Sequence, residues 1–152
     1  ALRESRAYDV AFADFERLRK MGVESAVLLN IGGLIVGRLG HGQQAVELFF
    51  AALNRNPNAL IYKSNYGIAA YRIGDFEPAL KVLNAIPLDE LDKLQNSHSY
   101  GYLTYAKLLV KAKQAGLPSF DAGRFDHVAR AALLLKDFVD SPDVAIIREA
   151  LA

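Results

Sequence analysis

Histidines and clustered carboxylates are the side chains of this sequence that could bind a metal or transfer protons. None of the histidines is paired with another at a spacing of four, or with carboxylates in a metal-binding pattern. The three histidines are His41, His98 and His127. Asp89, Glu90 and Asp92 form a tight acidic cluster, which is typical of a first helical turn because the helix dipole favours negative charge there. With no cysteine, nucleophile elbow or dinucleotide fingerprint, the sequence predicts no enzyme, cofactor or metal.

Composition limits the remaining functions. A chain of 152 residues that is 52% hydrophobic can bury a core as one domain or one run of repeats. Its net charge of +1 is too balanced for a nucleic-acid binder. The longest apolar stretch, 26–36, is interrupted by Asn30 and is too short to insert into a membrane. The absence of cysteine suits a bacterial cytoplasm and a periplasm equally, so the compartment stays open.

The elements that would position a site are indicated by a repeat of 34 residues. Gly33 recurs as Gly67 and Gly101, 34 residues later each time (67 − 33 and 101 − 67). Other positions follow the same period: Gly40 and Gly74; Ala11, Ala45 and Ala79; Phe15, Phe49 and Leu83. Such a period indicates pairs of antiparallel helices that bury one another when stacked. The first glycines would allow close helix approach, and Gly40 and Gly74 would form turns with positive φ.

The sequence predicts helices at 2–20, 25–39, 42–54, 58–73 and 76–85, and a final helix from Pro142 that Ser141 caps. The third repeat departs from the pattern. Its helical stretch continues to Ala115, and a loop follows at 116–119. We expect the loop to expose an apolar cluster that includes Leu117, Pro118 and Phe120.

These residues carry a family resemblance. The segment from Asn65 to Leu80, NYGIAAYRIGDFEPAL, resembles the tetratricopeptide repeat almost throughout, from its Asn-Tyr-Gly core to its Gly-Asp-Phe turn and following alanine. The preceding repeat keeps several family positions but has Gly42 and Val36 where aromatic residues are usual. The resemblance covers nearly the whole chain. It implies an all-α fold, an α-solenoid of antiparallel helix pairs in a right-handed superhelix with an elongated third repeat.

The same resemblance implies one domain over 1–152. Its parts are a half repeat or cap (1–22), repeats at 25–57 and 59–91, a repeat with an insertion (94–140) and a terminal helix (142–152). Because the chain opens in what resembles the second helix of a repeat, we expect it to be a piece of a longer array. Its first helix has an apolar stripe, through which it is expected to self-associate if nothing covers it: Tyr8, Ala11, Phe12, Phe15 and Leu18.

In this family the first helices line a concave groove that binds partners. The resemblance assigns ten residues to it: Asn30, Leu34, Arg38, Ser64, Ile68, Tyr71, Arg72, His98, Tyr102 and Tyr105. Their mixture of apolar, aromatic and basic side chains favours a peptide with hydrophobic anchors and an acidic residue. The aromatic residues have an alternative role, packing between repeats, which the sequence leaves open. Arg38 and Arg72 are expected to be exposed on one face.

The resemblance therefore implies a scaffold or adaptor that binds another protein or peptide. By analogy it belongs to a larger bacterial secretion or export assembly of the pilus or exopolysaccharide type. The lysine and asparagine clamp that binds chaperone tails is missing at Asn30, Ser64, Leu34 and Ile68. The alternative is a compact cytoplasmic secretion chaperone of the type III kind that dimerises through its first helix.

Overall fold

A computed structural model of the chain describes the backbone of residues 2–152 and the side chains from residue 6 onward. Within residues 2–152 the chain forms nine α-helices and one 3₁₀ turn, and no strand. The helices are α1 (Leu2–Lys20), α2 (Ala26–Arg38), α3 (Gly42–Arg55), α4 (Leu60–Arg72), α5 (Phe76–Asn84), α6 (Leu88–Ser97), α7 (Ser99–Ala115), α8 (Ala122–Ala132) and α9 (Pro142–Leu151); the 3₁₀ turn is Lys136–Phe138. The prediction of an all-α fold is confirmed.

The predicted ends of the first five helices agree with the structure to within two residues. The predicted cap of the last helix is also present, because the Oγ atom of Ser141 accepts a hydrogen bond of 3.3 Å from the backbone N–H of Val144. The acidic cluster lies where the helix dipole favours it, with Asp89 and Glu90 in the first turn of α6. These local signals therefore determine most of the helix boundaries.

The chain divides into two compact units, one ending at Ile73 and the other beginning at Gly74. In the first unit, α1 packs on α2, α2 on α3, and α3 on α4. Its buried side chains include Phe15, Leu29, Val36, Phe49 and Ala52. Burial of each large apolar side chain of this kind stabilises the folded state by about 1.5–3 kcal/mol.

Two consecutive glycines allow α2 to approach both of its neighbours. A Cβ atom on Gly32 would lie 2.3 Å from the ring of Phe15 on α1, and one on Gly33 would lie 2.6 Å from the ring of Phe49 on α3. Neither distance is compatible with a side chain, so only glycine permits the two rings to rest on the backbone of α2. The prediction of a close approach at Gly33 is confirmed.

The turn after α2 uses a glycine for a different reason. Gly40 has φ +86° and Gly74 has φ +82°, as predicted for the two turns. At the end of α2, the N–H of Gly40 donates to the carbonyl of Gly37 (3.2 Å) and the N–H of His41 to that of Val36 (2.9 Å). This is a Schellman motif, which satisfies the last carbonyls of the helix and ends it before α3 begins.

In the second unit, α7 packs against α5, α6, α8 and α9. It has 17 residues, against 13 in α2 and α4, so the prediction of a lengthened helix is confirmed. Two lysines of α7 hold α9: the Nζ atom of Lys107 lies 3.1 Å from Oδ1 of Asp143, and that of Lys113 donates to the carbonyl of Ala150 (3.1 Å). The buried side chains of this unit include Leu80, Leu83, Leu91, Leu109, Val128 and Ile147.

The third repeat differs from its prediction in two ways. A separate helix, α6, begins at Leu88, before the predicted start at 94. The loop after α7 is also held down, because the Oγ atom of Ser119 donates to Oε2 of Glu77 on α5 (2.6 Å). Leu117 and Phe120 are half-buried, and the Phe120 ring lies 5.9 Å from that of Phe125. The expected exposed apolar cluster is therefore reduced to Pro118.

Candidate protein-interaction surface

The outer face of α2 is determined by the two aromatic rings that pack on its inner face. Because Phe15 and Phe49 contact the glycines in the middle of the helix, the opposite side of α2 points away from both neighbouring helices. Val27, Ile31 and Leu34 lie on that side at spacings of four and three residues, which place them in one row along the helix. Arg38, four residues after Leu34, continues the row to the last turn.

The outer face of α4 carries the equivalent row, 34 residues later. Ile61, Ile68 and Arg72 correspond to Val27, Leu34 and Arg38. The two rows are neighbours in the first unit, because the Nδ2 atom of Asn65 on α4 donates a hydrogen bond of 3.0 Å to Oδ1 of Asn30 on α2. The repeat of 34 residues therefore places two similar helix faces beside each other.

We name the two rows and Tyr71 the α2–α4 surface. It consists of Val27, Ile31, Leu34, Arg38, Ile61, Ile68, Tyr71 and Arg72. Four of its five aliphatic side chains are strongly exposed, 61% for Val27, 44% for Ile31, 48% for Leu34 and 44% for Ile61, and Ile68 is half-buried. Contact with a partner would remove this apolar area from water, which is favourable by about 25 cal/mol per Å² before the costs of association.

The charge on the α2–α4 surface is positive. Neither α2 nor α4 contains an aspartate or glutamate, and both Arg38 and Arg72 are exposed in the last turn of their helices. Among the described side chains, Arg38 has no carboxylate within ion-pair distance. The surface thus combines an aliphatic area with guanidinium groups at one end, which are suited to planar, two-point recognition of a carboxylate.

The ten residues predicted to line a groove differ in their exposure and are divided between the two units. Six are at least partly accessible on α2 and α4: Asn30, Leu34, Arg38, Ile68, Tyr71 and Arg72. Ser64, Tyr102 and Tyr105 are buried, so their side chains present no surface to a partner in this structure. His98 is half-buried and lies in the second unit with the two tyrosines. The exposure expected for both arginines is confirmed.

Three residues of the α2–α4 surface were missed by comparison of the repeats. Val27, Ile31 and Ile61 are exposed apolar residues, yet they lie outside the family positions used to choose the groove. A helical projection of α2 would have found the first two, because residues 27, 31, 34 and 38 recur at the spacing of one helix face. The equivalent position in α4 would then have indicated Ile61.

Tyr105 belongs to a polar network inside the second unit. Its hydroxyl donates to Oδ1 of Asn84 (2.6 Å) and accepts a hydrogen bond from Nη1 of Arg124 (3.3 Å). Arg124 also donates to the carbonyls of Leu83 (3.4 Å) and Ile86, at the end of α5. Burial raises the pKa of Tyr105, while the hydrogen bond and charge of Arg124 act in the opposite direction. The network therefore ties α7 and α8 to the end of α5.

Tyr102 is fully buried in the second unit and takes no part in this network. Burial, and next the carboxylate of Asp92 on α6, raise the pKa of its hydroxyl. That hydroxyl has no hydrogen-bond partner among the described residues. Burial also lowers the pKa of His98, which precedes α7. Tyr102 therefore has the environment of a core residue, whereas His98 is half-buried.

Comparison with known proteins adds no family. A scan against models of protein families finds no match, and a search of curated proteins finds none either. From residue 6 onward, no three His, Cys, Asp or Glu side chains lie together in a group that could hold a metal ion. Within residues 2–152, no helix has the length and apolar character needed to cross a membrane.

Proposed function

We propose that this protein is a tetratricopeptide-like scaffold or adaptor that binds another protein through the α2–α4 surface. One observation carries the proposal: two neighbouring helices expose aligned rows of aliphatic side chains, and each row ends in an arginine. Contiguous exposed apolar areas on folded proteins commonly mark interaction sites. Exposed guanidinium groups beside such an area provide orientation and partner selection.

We further propose that the helices form an α-solenoid of antiparallel pairs. Contacts between α2 and α3 support this arrangement. Gly33 of α2 lies beside Phe49 of α3, and Gly37 lies beside Ala45, so the residue numbers rise along one helix as they fall along the other. The turn at Gly40, with its positive φ, is short enough to join such a pair.

The cellular role proposed for the scaffold is a part of a bacterial secretion or export assembly, of the pilus or exopolysaccharide type. This part of the proposal rests on the family resemblance of residues 65–80. The partner is accordingly another protein of that assembly, with apolar residues and a carboxylate in the bound segment.

Site-specific photo-crosslinking in living cells tests the proposal. A photoreactive residue at position 34 should give a discrete crosslinked product, and the added substitution Arg38→Glu should reduce its yield. Position 47 is the matched control, because Glu47 is exposed on α3, outside the α2–α4 surface. The same products from positions 34 and 47 would show that this surface is not where a partner docks.

A compact secretion chaperone is the second candidate, and an observation on α1 favours it. Val10 lies on α1, and Met21 follows directly after α1 ends at Lys20; both are exposed apolar residues. Dimerisation through α1 and the turn that follows it would cover both. Light scattering on the full chain should then report a dimer that Val10→Glu dissociates, whereas a monomeric chain would remove this candidate.

A further inference from the structure

The α2–α4 surface has few side chains that could form hydrogen bonds with the backbone of a partner. The amide of Asn65 is buried and donates to Oδ1 of Asn30, so these two side chains already engage each other. Ser64, the remaining short polar side chain of α4, is also buried. Before the arginines in the last turns, the surface exposes mainly the hydrocarbon of Val27, Ile31, Leu34 and Ile61.

The aliphatic part of the surface, N-terminal to the two arginines, restricts the conformation of the occupant. Each residue of an extended peptide carries a backbone donor and acceptor, and covering them with aliphatic side chains leaves them unsatisfied at a cost in free energy. An α-helix satisfies these groups internally and presents only side chains. Aliphatic rows on neighbouring helices are also the kind of surface into which an apolar helix face packs.

We infer that the segment recognised by the α2–α4 surface is an amphipathic α-helix with a carboxylate in its first turn, an inference that rests on the proposed function. The row from Val27 to Arg38 spans twelve residues, and their eleven steps of 1.5 Å give a length of about 16 Å, which a helix of about three turns matches. Its apolar side chains recur at spacings of three and four residues along one face.

The position of the arginines determines the direction of the bound helix. Arg38 and Arg72 lie in the last turns of α2 and α4, where the helix dipoles leave partial negative charge. The N-terminal end of a helix carries partial positive charge and favours acidic side chains. The bound helix therefore runs antiparallel to α2, so that its first turn and its carboxylate face Arg38.

Selection from a library of random peptides tests this inference while the natural partner is still unidentified. Displayed peptides of about 16 residues, long enough for four turns, are selected on the full chain and counter-selected on the Leu34→Asp variant. The expected consensus has apolar residues at spacings of three and four after an N-terminal Asp or Glu. A consensus that is proline-rich or alternates every second residue would overturn the helical inference while leaving the proposed function intact. Failure to enrich any peptide over Leu34→Asp would overturn both.

Direction and charge are tested with the selected peptide. Moving its carboxylate from the first turn to the last should weaken binding, and Arg38→Glu should weaken binding of the original peptide by about tenfold. Leu134→Asp is the matched control, because Leu134 is exposed and apolar but lies on the second unit. Tighter binding of the peptide with its carboxylate in the last turn would overturn the antiparallel direction. If light scattering shows a dimer of the chain alone that Leu34→Asp dissociates, the occupant is a second copy and the inference fails.

Discussion

Replacing Arg124 by alanine should lower the free energy of unfolding by about 2 kcal/mol. The substitution removes the donor from the carbonyls of Leu83 and Ile86 and from the hydroxyl of Tyr105. Because these acceptors belong to α5, its end and α7, the second unit loses a tie between elements that are distant in the sequence. Arg124→Lys keeps the charge but cannot reach several acceptors at once, so its loss should be intermediate.

The magnitude follows from the geometry of the three hydrogen bonds. A hydrogen bond from a charged donor contributes about 1.5–3 kcal/mol when it is well formed. The bonds to Leu83 and Tyr105 are long, 3.4 and 3.3 Å, and the Arg124 side chain is half-buried, so water can replace much of both. Only the hydrogen bond to the carbonyl of Ile86 should contribute its full share to the free energy of unfolding. The corresponding fall in melting temperature is about 4–8 °C for a chain of this size.

Urea unfolding followed by far-ultraviolet circular dichroism measures the effect, and Arg130→Ala provides the control. Arg130 lies on the same helix and pairs with Asp126 four residues earlier, but both side chains are exposed. Its loss should cost about 0.5 kcal/mol or less. Equal losses from the two substitutions would refute the idea that the Arg124 guanidinium holds the end of α5.

Three further predictions concern single side chains. Tyr102→Phe should leave the urea midpoint unchanged or raise it, because the hydroxyl has no partner among the described residues, whereas Tyr105→Phe should cost about 1 kcal/mol. Burial lowers the pKa of His98 below 6.5, so the unfolded chain binds the proton more readily than the folded chain does. The free energy of unfolding should therefore fall as the pH is lowered through 6.5, and the fall should be smaller in the His98→Gln variant. Gly33→Ala should cost about 1–3 kcal/mol in thermal melts because its Cβ would lie 2.6 Å from a ring on α3, while Gly123→Ala, with 3.4 Å of space, should cost nothing.

Helix positions in the first unit were predictable because they depend on local signals. Proline, glycine and capping serine act within a few residues, and the period of 34 residues shows which signals are equivalent. The close approach of α2 to its neighbour at Gly33 followed from the same comparison, whereas the packing of the Phe49 ring on this glycine did not. What could be predicted was therefore the register of the helices and the small residues between them.

The burial of residues on α7, the helix that carries the third repeated glycine, Gly101, was not predictable from the repeat. Tyr102 occupies the position of Leu34 and Ile68, which are accessible, yet it is fully buried. In this part of the chain an additional helix, α6, packs against α7 together with α5, α8 and α9, and its Asp92 contributes to the raised pKa of the Tyr102 hydroxyl. Periodicity assigns a residue to a position within a repeat, but burial depends on which other element is packed against that position.

The loop at 116–119 was mispredicted for a related reason. Its composition is typical of an exposed turn, and Gly116 does adopt the left-handed conformation with φ +64°. Ser119, however, is bound to Glu77, 42 residues earlier in the chain. A contact between residues so far apart leaves no periodic signal in a single sequence.

The paired glycines of α2 make its outer face dependent on its neighbours. Glycine in a helix interior costs about 1 kcal/mol relative to alanine, and α2 contains Gly32, Gly33 and Gly37. A peptide copied from α2 would therefore be mostly unstructured in water. The row from Val27 to Arg38 forms only while the rings of Phe15 and Phe49 hold the helix in place. If the surface binds as proposed, binding would depend on the folding of the first unit, and a partially unfolded chain would lose it.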